Sequence, residues 1–200
     1  MDKTIGFALC GSFCTLRTAI EQIYELKKLN YRIVPIMSEI VYNTDTRFGK
    51  AVDFISEIED LCSHNVIHTI VSAEPIGPKG LLDLLIIAPC TGNTLEKLAT
   101  GIADTSVTMA AKSHLRNKKP VLIAVSTNDG LGGAAKNIGQ LMNYKNIFFV
   151  PYRQDDSLNK PNSLVADFTM IPESVSFALK GKQIQPLISL KDKNDDNITL

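Results

Sequence analysis

The chain has 200 residues, of which 44% are hydrophobic and 21% charged, a composition typical of one globular domain with a sizeable core. The 21 lysines and arginines match the 21 acidic residues, so the chain lacks the basic field that attracts nucleic acid. No stretch approaches 18 apolar residues, and we expect neither a membrane span nor export. Four cysteines without CxxC spacing then favour a reducing cytoplasm.

The first element is a buried strand, predicted over Thr4 to Cys10 and followed by Gly11 and Ser12. Apolar residues at helical spacing from Leu16 to Leu29 predict a long amphipathic helix next. Gly11 and Ser12 therefore lie between a strand end and a helix N-terminus, where unpaired backbone N–H groups favour an anion. A tight turn without any ligand explains the same residues and stays open as an alternative.

A second strand is predicted over Arg32 to Met37, and Pro35 indicates that it lies near an edge of the sheet, because proline donates no ladder hydrogen bond. Ser38 follows this strand directly. We interpret Glu39 to Thr46 as a polar loop that leads into the next helix.

That next helix is predicted to be capped by Asp45 or Thr46 and to run through Leu61. A short third strand is predicted over Thr69 to Ser72. Glu74 to Gly80 contains two prolines and two glycines, which disfavour regular structure, and we expect it to be a lid or a subunit contact.

The central strand is predicted over Leu84 to Ala88, since an unbroken apolar run is typical of a parallel strand covered on both faces. Pro89 is expected to end its ladder. A helix then begins near Asn93 or Thr94, both good N-cap residues. A strand, a polar loop and a helix N-terminus in this order predict a ligand site at the carboxyl edge of a sheet.

The remaining pattern alternates helices and strands, and right-handed crossovers then predict a single doubly wound α/β fold: one parallel sheet with helices on both faces. We expect one domain over residues 1–190 and a polar C-terminal tail over 191–200. The further predicted elements are a helix over Ser106 to Asn117, a strand over Val121 to Val125, a helical pattern within Leu131 to Met142, a strand over Asn146 to Val150, and a last helix from about Pro161 or Ser163 to Leu179.

Four polar segments follow predicted strands and should meet at one edge of the sheet. They are Gly11 with Ser12, Ser38, Cys90 to Thr94, and Ser126 to Asn128. Hydroxyls, amides and helix N-termini with few ionisable groups suit a phosphate ester that carries a hydrogen-bonding ring, rather than a metal. The sequence therefore predicts a mononucleotide site and no metal site.

Several of these residues carry a family resemblance. The stretch Ala88-Pro89-Cys90-Thr91-Gly92-Asn93-Thr94, then Lys97-Leu98-Ala99 and Gly101-Ile102-Ala103-Asp104, resembles the flavoprotein family of homo-oligomeric flavin-containing cysteine decarboxylases. Its characteristic stretch reads Ala-Pro-Ala-Thr-Ala-Asn-Thr. Gly11-Ser12 and Arg17 on the first helix extend the resemblance, which runs from Lys3 to about Val150.

The resemblance implies a Rossmann-like flavoprotein fold, a homo-oligomer and bound FMN. It implies that six residues bind this cofactor: Gly11, Ser12, Ser38, Thr91, Asn93 and Thr94. Asn128 matches the last residue of the family's Pro-Ala-Met-Asn motif, which implies contact with a substrate carboxylate, although Val125, Ser126 and Thr127 replace the rest of that motif.

Three functions remain open at this level. In the first, which the resemblance implies, the chain is one subunit of an oxidoreductase that acts on a small dicarboxylate, together with a dinucleotide-binding partner that carries NADP. Alternatively, it is a non-catalytic mononucleotide-binding or structural component of the same complex. The third possibility is an independent FMN-dependent decarboxylase. The decarboxylases of the family place a catalytic histidine before the central strand, where Glu74 to Gly77 contains none.

Overall fold

A computed structural model describes residues 3–189 as seven strands and eight helices around one sheet. The polar tail predicted for residues 191–200 lies outside this range. The strands are β1 (Thr4–Leu9), β2 (Arg32–Met37), β3 (Leu84–Cys90), β4 (Val121–Thr127), β5 (Ile147–Phe149), β6 (Tyr152–Arg153) and β7 (Leu164–Ala166). The helices are α1 (Phe13–Lys28), α2 (Glu39–Asn43), α3 (Ala51–Cys62), α4 (Ile70–Ala73), α5 (Gly92–Thr100), α6 (Ser106–Arg116), α7 (Ala135–Met142) and α8 (Ile171–Ala178).

The sheet has a parallel core in the order β2-β1-β3-β4, with β5 parallel to the first half of β4. Every residue of β3 is buried, so helices cover both of its faces. The last two residues of β4, Ser126 and Thr127, pair with β7 in the antiparallel direction, and β6 pairs antiparallel with β7. The Rossmann-like α/β fold is thus confirmed, whereas the prediction that all strands are parallel is wrong for β6 and β7.

The predicted third strand over Thr69 to Ser72 is wrong, because this segment forms the short helix α4. The Thr69 side chain accepts a hydrogen bond from the backbone N–H of Ser72, and the Ser72 hydroxyl oxygen accepts one from the backbone N–H of Thr69. This capping box satisfies the donors of a helix N-terminus and outweighs the strand propensity of Ile70 and Val71. Just before it, Ile67 makes an isolated parallel bridge to Ile36 of β2.

Two other boundaries differ from the predictions near the sheet edge. The predicted polar loop after Ser38 contains the helix α2. The following helix α3 begins at Ala51 rather than near Asp45, but the Asp45 carboxylate accepts a hydrogen bond from the Ala51 N–H at 2.8 Å. The N-cap of α3 is Lys50, so the predicted cap at Asp45 or Thr46 is wrong, although the Asp45 side chain still satisfies a donor of the first helical turn from six residues upstream. The edge position predicted for β2 from Pro35 is confirmed.

The central strand continues through Pro89 to Cys90, with a register shift against β4 between Ile87 and Cys90. The prediction that Pro89 ends the ladder is therefore wrong, since the Pro89 carbonyl still accepts from the Cys10 N–H at 3.3 Å. The last helix also starts later than predicted. Residues 164–166 form β7, and α8 begins only at Ile171.

The segment from Glu74 to Gly80 contains one 3-10 turn, Glu74–Ile76, and packs against α6. The Asn117 side chain at the end of α6 donates to the Gly77 carbonyl at 2.6 Å. The role of the segment from Glu74 to Gly80 as a lid or subunit contact stays a prediction. Within residues 3–189 no helix has both the length and the apolar character needed to cross a membrane.

Candidate functional site

A cleft of about 790 Å³ lies at the carboxyl edge of the sheet, where β1, β2 and β3 end. Five of the six predicted cofactor residues line it: Gly11, Ser38, Thr91, Asn93 and Thr94. Its other lining residues are Cys10, Glu39, Ile40, Asn43, Thr44, Lys97, Asp104 and Thr105. The parallel strands thus bring together three loops that are distant in sequence, as predicted from the order of the elements.

Ser12, the sixth predicted residue, lies beside Gly11 at the start of α1 and joins a cluster of three hydroxyl groups. The Ser12 and Ser126 hydroxyl oxygens are 2.9 Å apart. The Thr15 hydroxyl lies 3.0 Å from that of Ser12 and 3.1 Å from that of Ser126. The sequence interpretation omitted Thr15, although its position three residues after Ser12 puts both side chains on the same side of the first helical turn.

Ser38 provides a buried hydroxyl at the end of β2, and its Oγ has no hydrogen-bond partner among the described residues. The Ser38 backbone N–H is satisfied by the Leu9 carbonyl at 3.0 Å. A buried hydroxyl without a partner costs about 1–3 kcal/mol, and native structures rarely leave one unexplained. A ligand with acceptor oxygens at this edge of the cleft would satisfy it.

The loop after β3 is organised by Thr91, which is the N-cap of α5 instead of the predicted Asn93 or Thr94. The Thr91 hydroxyl oxygen accepts a hydrogen bond from the Thr94 backbone N–H at 3.4 Å. Capping by Thr91 moves the start of the helix two residues earlier and leaves the Asn93 side chain exposed at the cleft. Asn93 therefore presents two donors and one acceptor to a ligand.

Cys10 lies beneath this loop as a neutral thiol. The Thr94 hydroxyl donates to the Cys10 Sγ at 3.4 Å. Burial raises the pKa of Cys10 to about 11, and burial also raises the pKa of Cys90 well above its usual value. Neither thiol is therefore a thiolate nucleophile at neutral pH, since nucleophilic cysteines need an electropositive and accessible surrounding.

The charged groups of the cleft are engaged within the protein. The Glu39 carboxylate accepts from the Ser106 backbone N–H at 3.0 Å, at the N-terminus of α6. The Lys97 ammonium lies 2.8 Å from Asp104 Oδ1 and 3.0 Å from Oδ2, and this hydrogen bond lowers the pKa of Asp104. The chemistry that remains available to a ligand is therefore that of hydroxyls, amides and backbone groups, which suits a mononucleotide.

The predicted substrate residue Asn128 does not line the cleft with the five predicted cofactor residues. It is exposed on the turn after β4, and its side chain makes no hydrogen bond to the described residues. The Thr127 hydroxyl donates instead to the Asp129 carboxylate. The turn is thus held by Thr127 and Asp129, and the amide of Asn128 is free to meet another molecule.

Gly92 supports this same turn in a way that sequence reasoning missed. A Cβ atom added at Gly92 would lie 2.7 Å from the Asp129 Oδ1 and 2.9 Å from the Thr127 Oγ1. The missing side chain of Gly92 thus leaves room for the Thr127 and Asp129 side chains, so that the turn after β4 packs against the start of α5. Within residues 3–189, no three His, Cys, Asp or Glu side chains are grouped so that they could hold a metal ion.

A Rossmann-like sheet with hydroxyl and amide groups at its carboxyl edge is the architecture of a mononucleotide-binding flavoprotein. The sequence pattern of the Flavoprotein family matches residues 1–170. The chain therefore belongs to the Flavoprotein family, as the motifs around Pro89 and Gly101 predicted.

Comparison with individual proteins gives closer relatives within this family. The chain is 45% identical to the B subunit of dipicolinate synthase from Bacillus subtilis over 186 residues, which cover 93% of each chain. The crystal structure of the corresponding dipicolinate synthase protein from Bacillus halodurans is 42% identical, with a TM-score of 0.87 over 96% of this chain and 100% of that one. Burkholderia xenovorans DmrB, solved in complex with FMN, is 18% identical with a TM-score of 0.66 over 90% of this chain and 96% of that one, and shares the fold.

Proposed function

We propose that this chain is the B subunit of a dipicolinate synthase. Together with the A subunit, a dinucleotide-binding partner that carries NADP, it oxidises dihydrodipicolinate to dipicolinate (pyridine-2,6-dicarboxylate) in the mother-cell cytoplasm during sporulation. The observation that carries the proposal is the 45% identity to the B. subtilis dipicolinate synthase protein over 93% of both chains. The reaction removes one hydride and one proton from the ring: NADP⁺ accepts the hydride and the proton is released to solvent.

We further propose that the cleft binds FMN through Gly11, Ser12, Ser38, Thr91, Asn93 and Thr94. The unpartnered Ser38 hydroxyl and the exposed Asn93 amide fit a ligand rich in acceptors and donors. The α1 N-terminus next to Gly11 and Ser12 suits the phosphate. Bound flavin would supply a group that can take up two electrons and pass them on, with NADP⁺ as their final acceptor, and the residues of this chain would hold and orient it.

A second candidate function, a mononucleotide-binding component without catalytic groups, is favoured by the chemistry of the cleft. Glu39 and Asp104 are engaged in hydrogen bonds, Cys10 is protonated, and no histidine lines the cleft. None of the lining residues is therefore placed as a free proton acceptor. In this case the chain stabilises or shapes the complex while the dinucleotide-binding partner performs the redox step. An independent decarboxylase has less support, because Glu74 to Gly77 lacks the family's histidine.

Reconstitution distinguishes these functions. The purified chain is mixed with its dinucleotide-binding partner, NADP⁺ and dihydrodipicolinate, and dipicolinate is quantified by chromatography, with each protein alone as the control. We expect product at a high rate only when both proteins are present. Full activity of the partner alone would contradict the proposal. If the chain supports the full rate after its flavin has been removed, the non-catalytic role is the one that remains.

A further inference from the structure

A second cavity, of about 500 Å³, lies between α7 and the β6–β7 pair and shares no lining residue with the cleft. Its volume falls in the range of sites for small molecules, which are mostly apolar with a few polar groups. The apolar wall consists of Leu131, Ile138, Met142, Leu164 and Ile188. The lining residues with polar side chains are Tyr152, Arg153, Gln154, Ser157 and Ser189.

Arg153 is the one cation among these lining residues, and it makes no ion pair within residues 3–189. The acidic residues that follow it in sequence are engaged elsewhere. Asp155 pairs with Lys160 at 3.6 Å, and the Asp156 carboxylate accepts from the Asn159 backbone N–H at 3.0 Å. The guanidinium of Arg153 is therefore available for an anion that enters the cavity.

The Arg153 guanidinium and the apolar wall together indicate the chemical class of the ligand. A guanidinium group holds a carboxylate through two parallel N–H···O bonds, a geometry that a planar acid can meet without distortion. The apolar wall suits the faces of a flat ring. We propose that the cavity between α7 and β6–β7 binds a planar aromatic or dihydroaromatic carboxylic acid, with Arg153 as the partner of its carboxylate. The choice of a pyridine diacid as the ligand rests on the proposed function.

The test is isothermal titration of the full chain with pyridine-2,6-dicarboxylate in metal-free buffer, because this diacid also chelates divalent ions. Arg153→Met keeps the length of the side chain and removes its charge. Gly139→Leu fills the cavity from α7, where an added Cβ meets no atom within 4 Å, so the fold should tolerate it. Arg47→Met is the matched control, since it removes the same charge outside the cavity.

We expect Arg153→Met to weaken binding at least tenfold, Gly139→Leu to abolish measurable heat, and Arg47→Met to bind as the natural chain does. Melting temperatures measured in parallel verify that each variant is folded. Failure of the natural chain to bind, equal binding by all variants, or equal binding of uncharged pyridine would overturn the inference. The inference would also be overturned if the substitutions changed only the oligomeric state, because this surface would then be a contact between protein chains.

The outcome is separable from that of the proposed function. Titration uses the isolated chain and no turnover, so specific binding can be found even if the reconstituted complex makes no dipicolinate. Conversely, active complexes whose rate is unaffected by Arg153→Met and Gly139→Leu, together with unchanged binding, would overturn only the inference about this cavity.

Discussion

The hydroxyl oxygens of Ser12 and Ser126, 114 residues apart in the chain, lie 2.9 Å from each other at the carboxyl edge of the sheet. This contact joins the start of α1 to the end of β4, and Thr15 bonds to both. It fixes the turn beside Gly11, where we place the phosphate of the cofactor. The relationship is open to a direct energetic test.

A double-mutant cycle with Ser12→Ala and Ser126→Ala should give a coupling free energy of about 0.5–1.5 kcal/mol, because each single change removes the same hydrogen bond. Urea unfolding of the two single variants and the double variant measures it. Strictly additive losses of stability would show that the two hydroxyls do not interact in solution.

Asn128 tests the substrate contact that the family resemblance implies. Asn128→Leu should weaken transition-state binding by roughly 1–3 kcal/mol, since a substrate carboxylate would lose its donor, and Asn128→Asp should lose more through charge repulsion. Dipicolinate formation by the reconstituted complex measures both. The melting temperature should stay unchanged, because the side chain is exposed and has no partner among the described residues. Undiminished turnover in both variants would leave Asn128 as a turn residue only.

His114 predicts a dependence of stability on pH. Burial lowers the pKa of His114 to about 4, and the positive charge of Lys119 acts in the same direction. The Pro120 carbonyl oxygen, 3.0 Å from the ring, and the Asp83 carboxylate raise this pKa, but by less. The unfolded chain takes up a proton near pH 6.5, whereas the folded chain does so only near pH 4. The free energy of unfolding should therefore fall by up to about 3 kcal/mol as the pH drops through this window.

His114→Gln separates this effect from the titration of carboxylates. Glutamine retains a donor for the Pro120 carbonyl and does not titrate, so the loss of stability between pH 6.5 and 4 should be smaller in the variant. Chemical denaturation at several pH values measures the difference. Parallel pH profiles for the two proteins would exclude His114 as the cause.

The parallel core could be predicted from the sequence because its four main strands have six or seven residues each and are mostly apolar. The predicted and observed bounds of Arg32–Met37 agree residue for residue, and the apolar run from Leu84 indicates the central strand correctly. The two-residue strand β6 and the three-residue strand β7 could not be predicted, since so few residues show no period of two. At Thr69 the sequence does contain the missing signal, a Thr and a Ser three residues apart, but the apolar residues between them favour a strand.

In the candidate site, too, the sequence pattern predicted where the loops lie but not which side chains contact each other. The order of strands and loops predicted that Gly11, Ser38 and Thr91 would meet, because parallel strands end at one edge. The side-chain partners could not be predicted, since they depend on contacts distant in sequence. Two examples are the hydrogen bond that the Thr94 hydroxyl donates to the Cys10 Sγ and the one that the Glu39 carboxylate accepts at the N-terminus of α6.

The central claim, that the cleft is a flavin site, predicts opposite effects of one substitution on stability and binding. In Ser38→Ala the unpartnered buried hydroxyl disappears, so the ligand-free chain should be equally or more stable. The same change removes a donor to the cofactor and should weaken FMN binding about tenfold or more. Ser174→Ala is the matched control, because its hydroxyl on α8 is also buried without a partner among the described residues and does not line the cleft.

Titration of the purified chain with FMN, followed by flavin fluorescence, measures this most directly. We expect tight binding by the natural chain and by Ser174→Ala, and markedly weaker binding by Ser38→Ala at an unchanged or higher melting temperature. No flavin binding by the natural chain, or the same affinity in all three proteins, would contradict the assignment of the cleft.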